Sequence, residues 1–266
     1  MMREIFNIST NDLFVSSLSY IEKRLEPFKK AGLLTAKITR GGGRNQLTIV
    51  LNGAKRGKAA RNNQNSLRDR RALEAALVDA LAEVVITDCK VHFIQTSLKL
   101  PIEDEISRHA FIRALSGFDR DPDKIIAKSL IKIDANFLLD SFYAFSIDIL
   151  KTRWLEVCEL ANENACFLVC DGTFRELLRF LISNLESREP EVHLFRRENG
   201  GVDVLTGGLK PINVYIGGEL SPDVQVVSKL ISIAPKRIFL HRNISDSPVF
   251  DFIQSVFGSC VKVLQT

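Results

Sequence analysis

Apolar positions near the start of the chain recur as Phe14, Leu18, Ile21 and Leu25, at spacings of four, three and four, which predicts an amphipathic helix capped by Asn11 or Thr10. A short alternating run, Glu4-Ile5-Phe6-Asn7-Ile8, precedes it, and Pro27 and Gly32 interrupt it. Over residues 33–51 the period drops to two. LLTAKIT and QLTIVLN read as strands of a β-hairpin, joined by Arg40-Gly-Gly-Gly-Arg44-Asn45, where glycine supplies positive φ. Residues 52–65 carry Gly, Ala, Asn, Lys and Arg with no period and read as an exposed loop. Leu73, Leu77, Ala80 and Val84 then share a face of RRALEAALVDALAEVV, a second helix that closes the first unit.

KVHFIQT (90–96) alternates like a short strand, and from about 102 to 188 the pattern is helical almost throughout. Asp121-Pro122 marks one helix start. Trp154, Cys158, Ala161, Ala165 and Leu168 form a stripe opposite Glu156, Glu159 and Glu163, and Asp171-Gly172-Thr173 breaks that helix and caps the next. After 190 the period returns to two: EVHLFRR and GVDVLT predict a hairpin, and PINVYIGG a third strand. PDVQVVSKLISIA, KRIFLH, SPVFDFIQSVFG and CVKVL then alternate helix and strand, which favours parallel crossovers. The expected fold class is α+β, without internal repeats. It comprises an N-terminal helix plus β-hairpin unit over 1–100 with a basic loop at 52–68, a helical region over 101–190, and a C-terminal α/β sheet unit over 191–266.

The 266 residues are 45% apolar and 26% charged, a globular composition that excludes collagen, coiled-coil and disordered classes. The formal charge of +4 conceals a strong asymmetry. Segments 1–34, 35–71, 72–190 and 191–266 carry net charges of +1, +9, −7 and +1. The basic stretch holds Lys37, Arg40, Arg44, Lys55, Arg56, Lys58, Arg61, Arg68, Arg70 and Arg71, offset only by Asp69. Such a run can attract nucleic acid through phosphates, dock on an acidic protein surface or on the chain's own acidic middle, or serve only as a solvated arm. With no aromatic residue in 35–71, base stacking has no platform there. The five cysteines (89, 158, 166, 170, 260) show no disulfide framework, MMREIFNIST lacks a leader-like apolar core, and the most apolar window, 137–150, is broken by Asp140 and Asp148. The expectation is a cytoplasmic chain without a membrane span.

Catalytic templates fail. Gly53-Ala-Lys-Arg-Gly57-Lys58-Ala59 approximates a phosphate loop, but three residues rather than four separate the glycines and Ala59 cannot hold magnesium. Cys158, Cys166 and Cys170 lack the paired spacing of a zinc site, so Cys158 reads as core packing. Asp119, Asp121 and Asp123 read as helix-start charges. Of the histidines at 92, 109, 193 and 241, His193 and His241 fall in predicted strands, and His241 ends its strand where open α/β sheets place ligands. A metal or acid–base role would need both to converge with a carboxylate. No catalytic, cofactor or metal residue is assigned on these patterns, and no cofactor is expected.

The run from Phe137 to Leu205 and the ending resemble the YtxC-like sporulation protein family of endospore-forming Firmicutes. The resemblance rests on Phe142 and Phe145, the helix at 147–169, Glu176-Leu177-Leu178 with Phe180, and Glu191-Val192-His193. It extends to Pro235, Lys236 and His241 in SIAPKRIFLH and to Phe257-Gly258 before CVKV. It spans roughly 135–266 and implies association with sporulation, with no biochemical activity and no catalytic residue attached. The expected function is therefore a non-enzymatic binding protein of sporulation. The alternatives are a nucleic-acid-associated protein using 35–71 and an enzyme with a site near His193 and His241.

Overall fold

The computed structural model describes residues 5–52, 61–99, 102–164, 171–197, 201–218, 220–241 and 248–264, without the side chains of 61–67, 171 and 248. The elements in chain order are β1 (Ile5–Thr10), α1 (Val15–Arg24), α2 (Glu26–Lys30), β2 (Leu34–Gly41), β3 (Arg44–Leu51) and α3 (Arg61–Val84). A π-helical turn (Val85–Cys89) leads to α4 (Lys90–Ser97), α5 (Glu105–Gly117), α6 (Arg120–Leu130), β4 (Asn136–Leu138), α7 (Leu139–Phe145) and α8 (Asp148–Glu163). After these come α9 (Asp171–Ser183), β5 (Glu191–Arg196), β6 (Val202–Thr206), α10 (Pro222–Ile233), β7 (Arg237–His241), α11 (Pro248–Phe257) and β8 (Val261–Leu264). The fold is α+β, and the chain divides into two compact units, Met1–Cys89 with Asp121–Thr152 and Lys90–Arg120 with Arg153–Thr266. The helical middle read over 101–190 is thus shared between them.

The first unit is built on a sheet of order β2-β3-β1-β4. Asn11 caps a one-turn 3-10 helix, Asp12–Phe14, that leads into α1, its side chain accepting from the Leu13 N–H at 3.0 Å, while α1 itself follows Phe14 with no side-chain cap. The stripe Phe14, Leu18, Ile21 and Leu25 is almost fully buried, and α1 packs on β2, β3 and α3. Each such side chain contributes about 1.5–3 kcal/mol relative to exposure. Phe6, Ile8, Leu34, Leu47 and Ile49 form the buried face of the sheet, and Leu73, Leu77, Ala80 and Val84 the buried side of α3. The β2–β3 hairpin closes on Gly42 and Gly43, at φ +63 and +76, between the Gly41–Arg44 pair. Two consecutive positive φ values are what a two-residue turn matched to strand twist requires.

In the second unit the sheet order is β6-β5-β7-β8, with β5 antiparallel to β6 and parallel to β7, and β7 parallel to β8. Val192, Leu194, Val204, Ile238 and Leu240 face a core completed by Phe111 of α5, Cys158 of α8, Leu178 of α9, Leu230 of α10 and Ile253 of α11. Cys158 is packing, as its place on the Trp154 stripe implies, and burial pushes its thiol up to about 11. Residues 165 and 168 of that stripe, with Cys166 and Cys170, lie outside the described residues.

Several expectations are corrected. KVHFIQT is helical in α4: its buried residues, Lys90 and Ile94, are four apart, so burial follows the helical period and not the local alternation. PINVYIGG forms no strand beyond an isolated Leu205–Pro211 bridge. Its alternation reflects Ile212 and Val214 packing on the core, while Gly217 and Gly218 turn away at φ +68 and +71. The region after 102 is interrupted by β4, which pairs in parallel with Asn7–Ser9 of β1. The loop read over 52–68 is helical from Arg61 onward, a polar extension carried by the buried later turns of α3, and 53–60 lies outside the described residues. Helix α6 starts at Arg120, so Asp121 sits in its first turn instead of capping it.

Candidate functional site

On β5 the alternation of side chains sends Val192 and Leu194 into the core and places Glu191, His193 and Phe195 on the opposite face. On β7 it buries Ile238 and Leu240 and leaves Arg237, Phe239 and His241 on that same outer face. Because the ladder aligns Glu191 with Arg237 and His193 with Phe239, three cross-strand pairs form in a row. Arg237 meets Glu191 at 2.9 Å. The rings of His193 and Phe239 stack with centroids 5.0 Å apart, and those of Phe195 and His241 with centroids 3.8 Å apart and planes 18° from parallel.

A diagonal contact joins the rows. Nδ1 of His193 lies 3.0 Å from Nε2 of His241, and Nε2 of His193 lies 3.3 Å from Oε1 of Glu191. The two histidines therefore do converge with a carboxylate, the condition that an acid–base role imposes. His193 is shielded, its side chain 14% exposed. Burial, with His193 adding to it, holds His241 below the ordinary histidine value, which favours neutral imidazole at pH 7. Among the described residues no group of three His, Cys, Asp or Glu is placed to hold a metal ion.

A second feature of this unit is a groove of about 860 Å³. It is lined by Glu176, Arg179 and Phe180 of α9, by Pro235 and Lys236 before β7, and by Phe257, Gly258 and Cys260 after α11. Arg179 spans part of it, donating to the carbonyl of Ser255 at 2.6 Å. Of the ten positions that carry the family resemblance, Glu176, Pro235, Lys236, Phe257 and Gly258 meet in this groove, and Glu191, His193 and His241 meet on the sheet face. Phe142 is core, and Phe145 is 80% exposed.

The basic stretch belongs to the first unit. Lys37, Arg40 and Arg44 sit on the β2–β3 hairpin, and Arg68, Arg70 and Arg71 are exposed on α3. Lys55, Arg56 and Lys58 lie outside the described residues, as does the side chain of Arg61. Arg44 reaches Asp140 at 3.7 Å, one contact with the acidic middle of the chain, and Arg70 pairs with Glu74 at 2.9 Å. Lys37, Arg40, Arg68 and Arg71 make no ion pair among the described residues.

Phe195, Arg237 and Phe239 are partners in the histidine cluster that pattern reading did not single out. Their signal is the paired motifs Glu-x-His-x-Phe and Arg-x-Phe-x-His, which become complementary only once the two strands lie side by side. Among the described residues no helix is long and apolar enough to cross a membrane. Comparison with known proteins finds no matching family model, no matching curated protein and no matching solved structure.

Proposed function

We propose that the chain is a sporulation-associated protein of the YtxC-like kind it resembles, that it works by binding, and that its basic stretch holds a polyanion by the phosphate backbone. The observation that carries the binding part is the state of the six described cations of that stretch. Four of them, Lys37, Arg40, Arg68 and Arg71, are exposed and free of carboxylate partners among the described residues. On β2 the exposed positions Thr35, Lys37 and Thr39 present hydroxyls and an ammonium, a surface that can meet phosphates without reading sequence. The gathering of eight resemblance positions at two places supports the family part of the reading.

Anisotropy of labelled duplex DNA against the full chain is expected to show binding that weakens steeply with salt. Replacing Lys37, Arg40, Arg68 and Arg71 together by Gln should lower the slope of log K against log salt by about 3 to 4, the share of four phosphate contacts. An unchanged slope overturns the assignment of the site. Uptake of polyglutamate with no binding of duplex or single strands overturns nucleic acid in favour of an acidic protein surface. Deleting the gene in an endospore-forming host should reduce heat-resistant spore counts, and an undiminished count removes the sporulation part.

A further inference from the structure

We propose that Glu191, His193 and His241 form a proton relay ending in a general base, Nδ1 of His241, and that this base serves a ligand presenting a hydroxyl or a water directed at an ester. The inference concerns the second unit and does not depend on the polyanion reading.

The donors can be assigned from the outside inward. Oε2 of Glu191 is ion-paired with Arg237 at 2.9 Å, and a carboxylate offers only acceptors. Nε2 of His193 therefore donates to Oε1, which leaves Nδ1 of His193 with its lone pair. Nε2 of His241 must then donate to that lone pair, and Nδ1 of His241 is left as a lone pair outside the chain of hydrogen bonds. The centroid separation of 5.3 Å equals the 3.0 Å bond plus a ring radius at each end, so the bond is in line with both rings. Two imidazoles sharing a metal would instead converge on a point to one side, so the geometry is that of a direct hydrogen bond. Phe195 and Phe239, stacked on the two rings, fix their orientation.

His241 ends β7 at the carboxyl edge of the parallel strands, where ligands of α/β sheets bind. Besides Glu191 and Arg237, the charged groups that share this sheet face are Asp203 on β6, held by Arg197, and Lys262 on β8. In the reaction, Nδ1 of His241 takes the proton of a water as its oxygen bonds to the ester carbonyl carbon. The proton then passes to the leaving oxygen as the carbon–oxygen bond breaks, so ester and water become acid and alcohol. The transient imidazolium is stabilised through His193 by the Glu191 charge, which makes Glu191 and His193 positioning residues.

Two readouts on the full chain test the relay. Two-bond ¹⁵N–¹H correlation spectra should show both neutral imidazoles protonated at Nε2, and a neutral His241 protonated at Nδ1 overturns the proposal. With p-nitrophenyl acetate as probe, hydrolysis should exceed that of His241→Gln at least tenfold, with a rate that rises through the His241 titration followed in the same spectra. Equal rates overturn it. Glu191→Gln, a conservative change checked for folding by circular dichroism, should move the His241 titration to lower pH because the imidazolium loses its distant counter-charge. An unmoved titration removes Glu191 from the relay and overturns it as drawn.

Discussion

Trp154 shows how a single residue anchors its surroundings. It is 1% exposed on α8, with the ring of Phe93 at 5.8 Å, so truncation leaves a cavity that close-packed neighbours cannot fill. Trp154→Ala should lower the unfolding free energy by about 3–5 kcal/mol, measured by urea titration of circular dichroism. A loss below about 1 kcal/mol would mean the site collapses around the truncation. Cysteine reactivity follows burial as well. Cys89 and Cys158 are fully buried with thiols pushed up by that burial, whereas Cys260 is partly exposed on the groove. Iodoacetamide at neutral pH should therefore label Cys260 well before those two, and equal rates would contradict the burial.

At the scale of elements, the β2–β3 hairpin depends on its turn. Gly42 and Gly43 need positive φ, and a Cβ at either would meet no neighbouring atom, so the cost of a side chain there is conformational. Gly43→Val should destabilise by about 1–2 kcal/mol and Gly43→Asn by distinctly less, read from thermal unfolding. Equal effects would mean that bulk, not φ, decides. This hairpin, the α1 stripe and the closing β7–α11–β8 crossover were legible because each is local: period, turn residues and burial agree within one contiguous stretch, the longest running from Arg237 to Leu264. What escaped was set from a distance. The three residues of β4 become a strand only because β1 offers them a ladder 129 residues earlier in the chain, where Asn7 donates to Asn136. The alternation in KVHFIQT becomes helix, and that in PINVYIGG, which keeps only the Leu205–Pro211 bridge to β6, becomes irregular packing. The histidine cluster was legible only as two candidates, since the diagonal between His193 and His241 follows from the register of β5 on β7.

For the whole molecule, acidification acts unevenly. All four histidines belong to the second unit, and burial holds His92, His109 and His241 below their ordinary value of 6.5. The unfolded chain thus takes up protons first as pH falls through that value, and stability drains away below it. The first unit has no histidine, and the stability of its Asp79 follows a carboxylate rule. Burial opposes ionisation there, but Lys128 and Lys124 hold the group below 3.8, a contribution kept at mild acidity and lost only as pH falls further. Between about pH 8 and pH 5.5 the second unit should lose thermal stability while the first does not, followed by hydrogen exchange of core amides in each. Parallel losses in both units would contradict this.

The division of the chain also governs how it can be made. Its backbone passes between the units three times, after Cys89, Arg120 and Thr152. During synthesis the first sheet cannot acquire its fourth strand until residues 136–138 have left the ribosome, by which time α4 and α5 of the other unit have already emerged. A fragment ending near residue 100 would lack β4, α6 and α7, and one beginning there would lack α4. Neither unit can be recovered by cutting the gene at one place; each would have to be rebuilt from two stretches joined by a new linker.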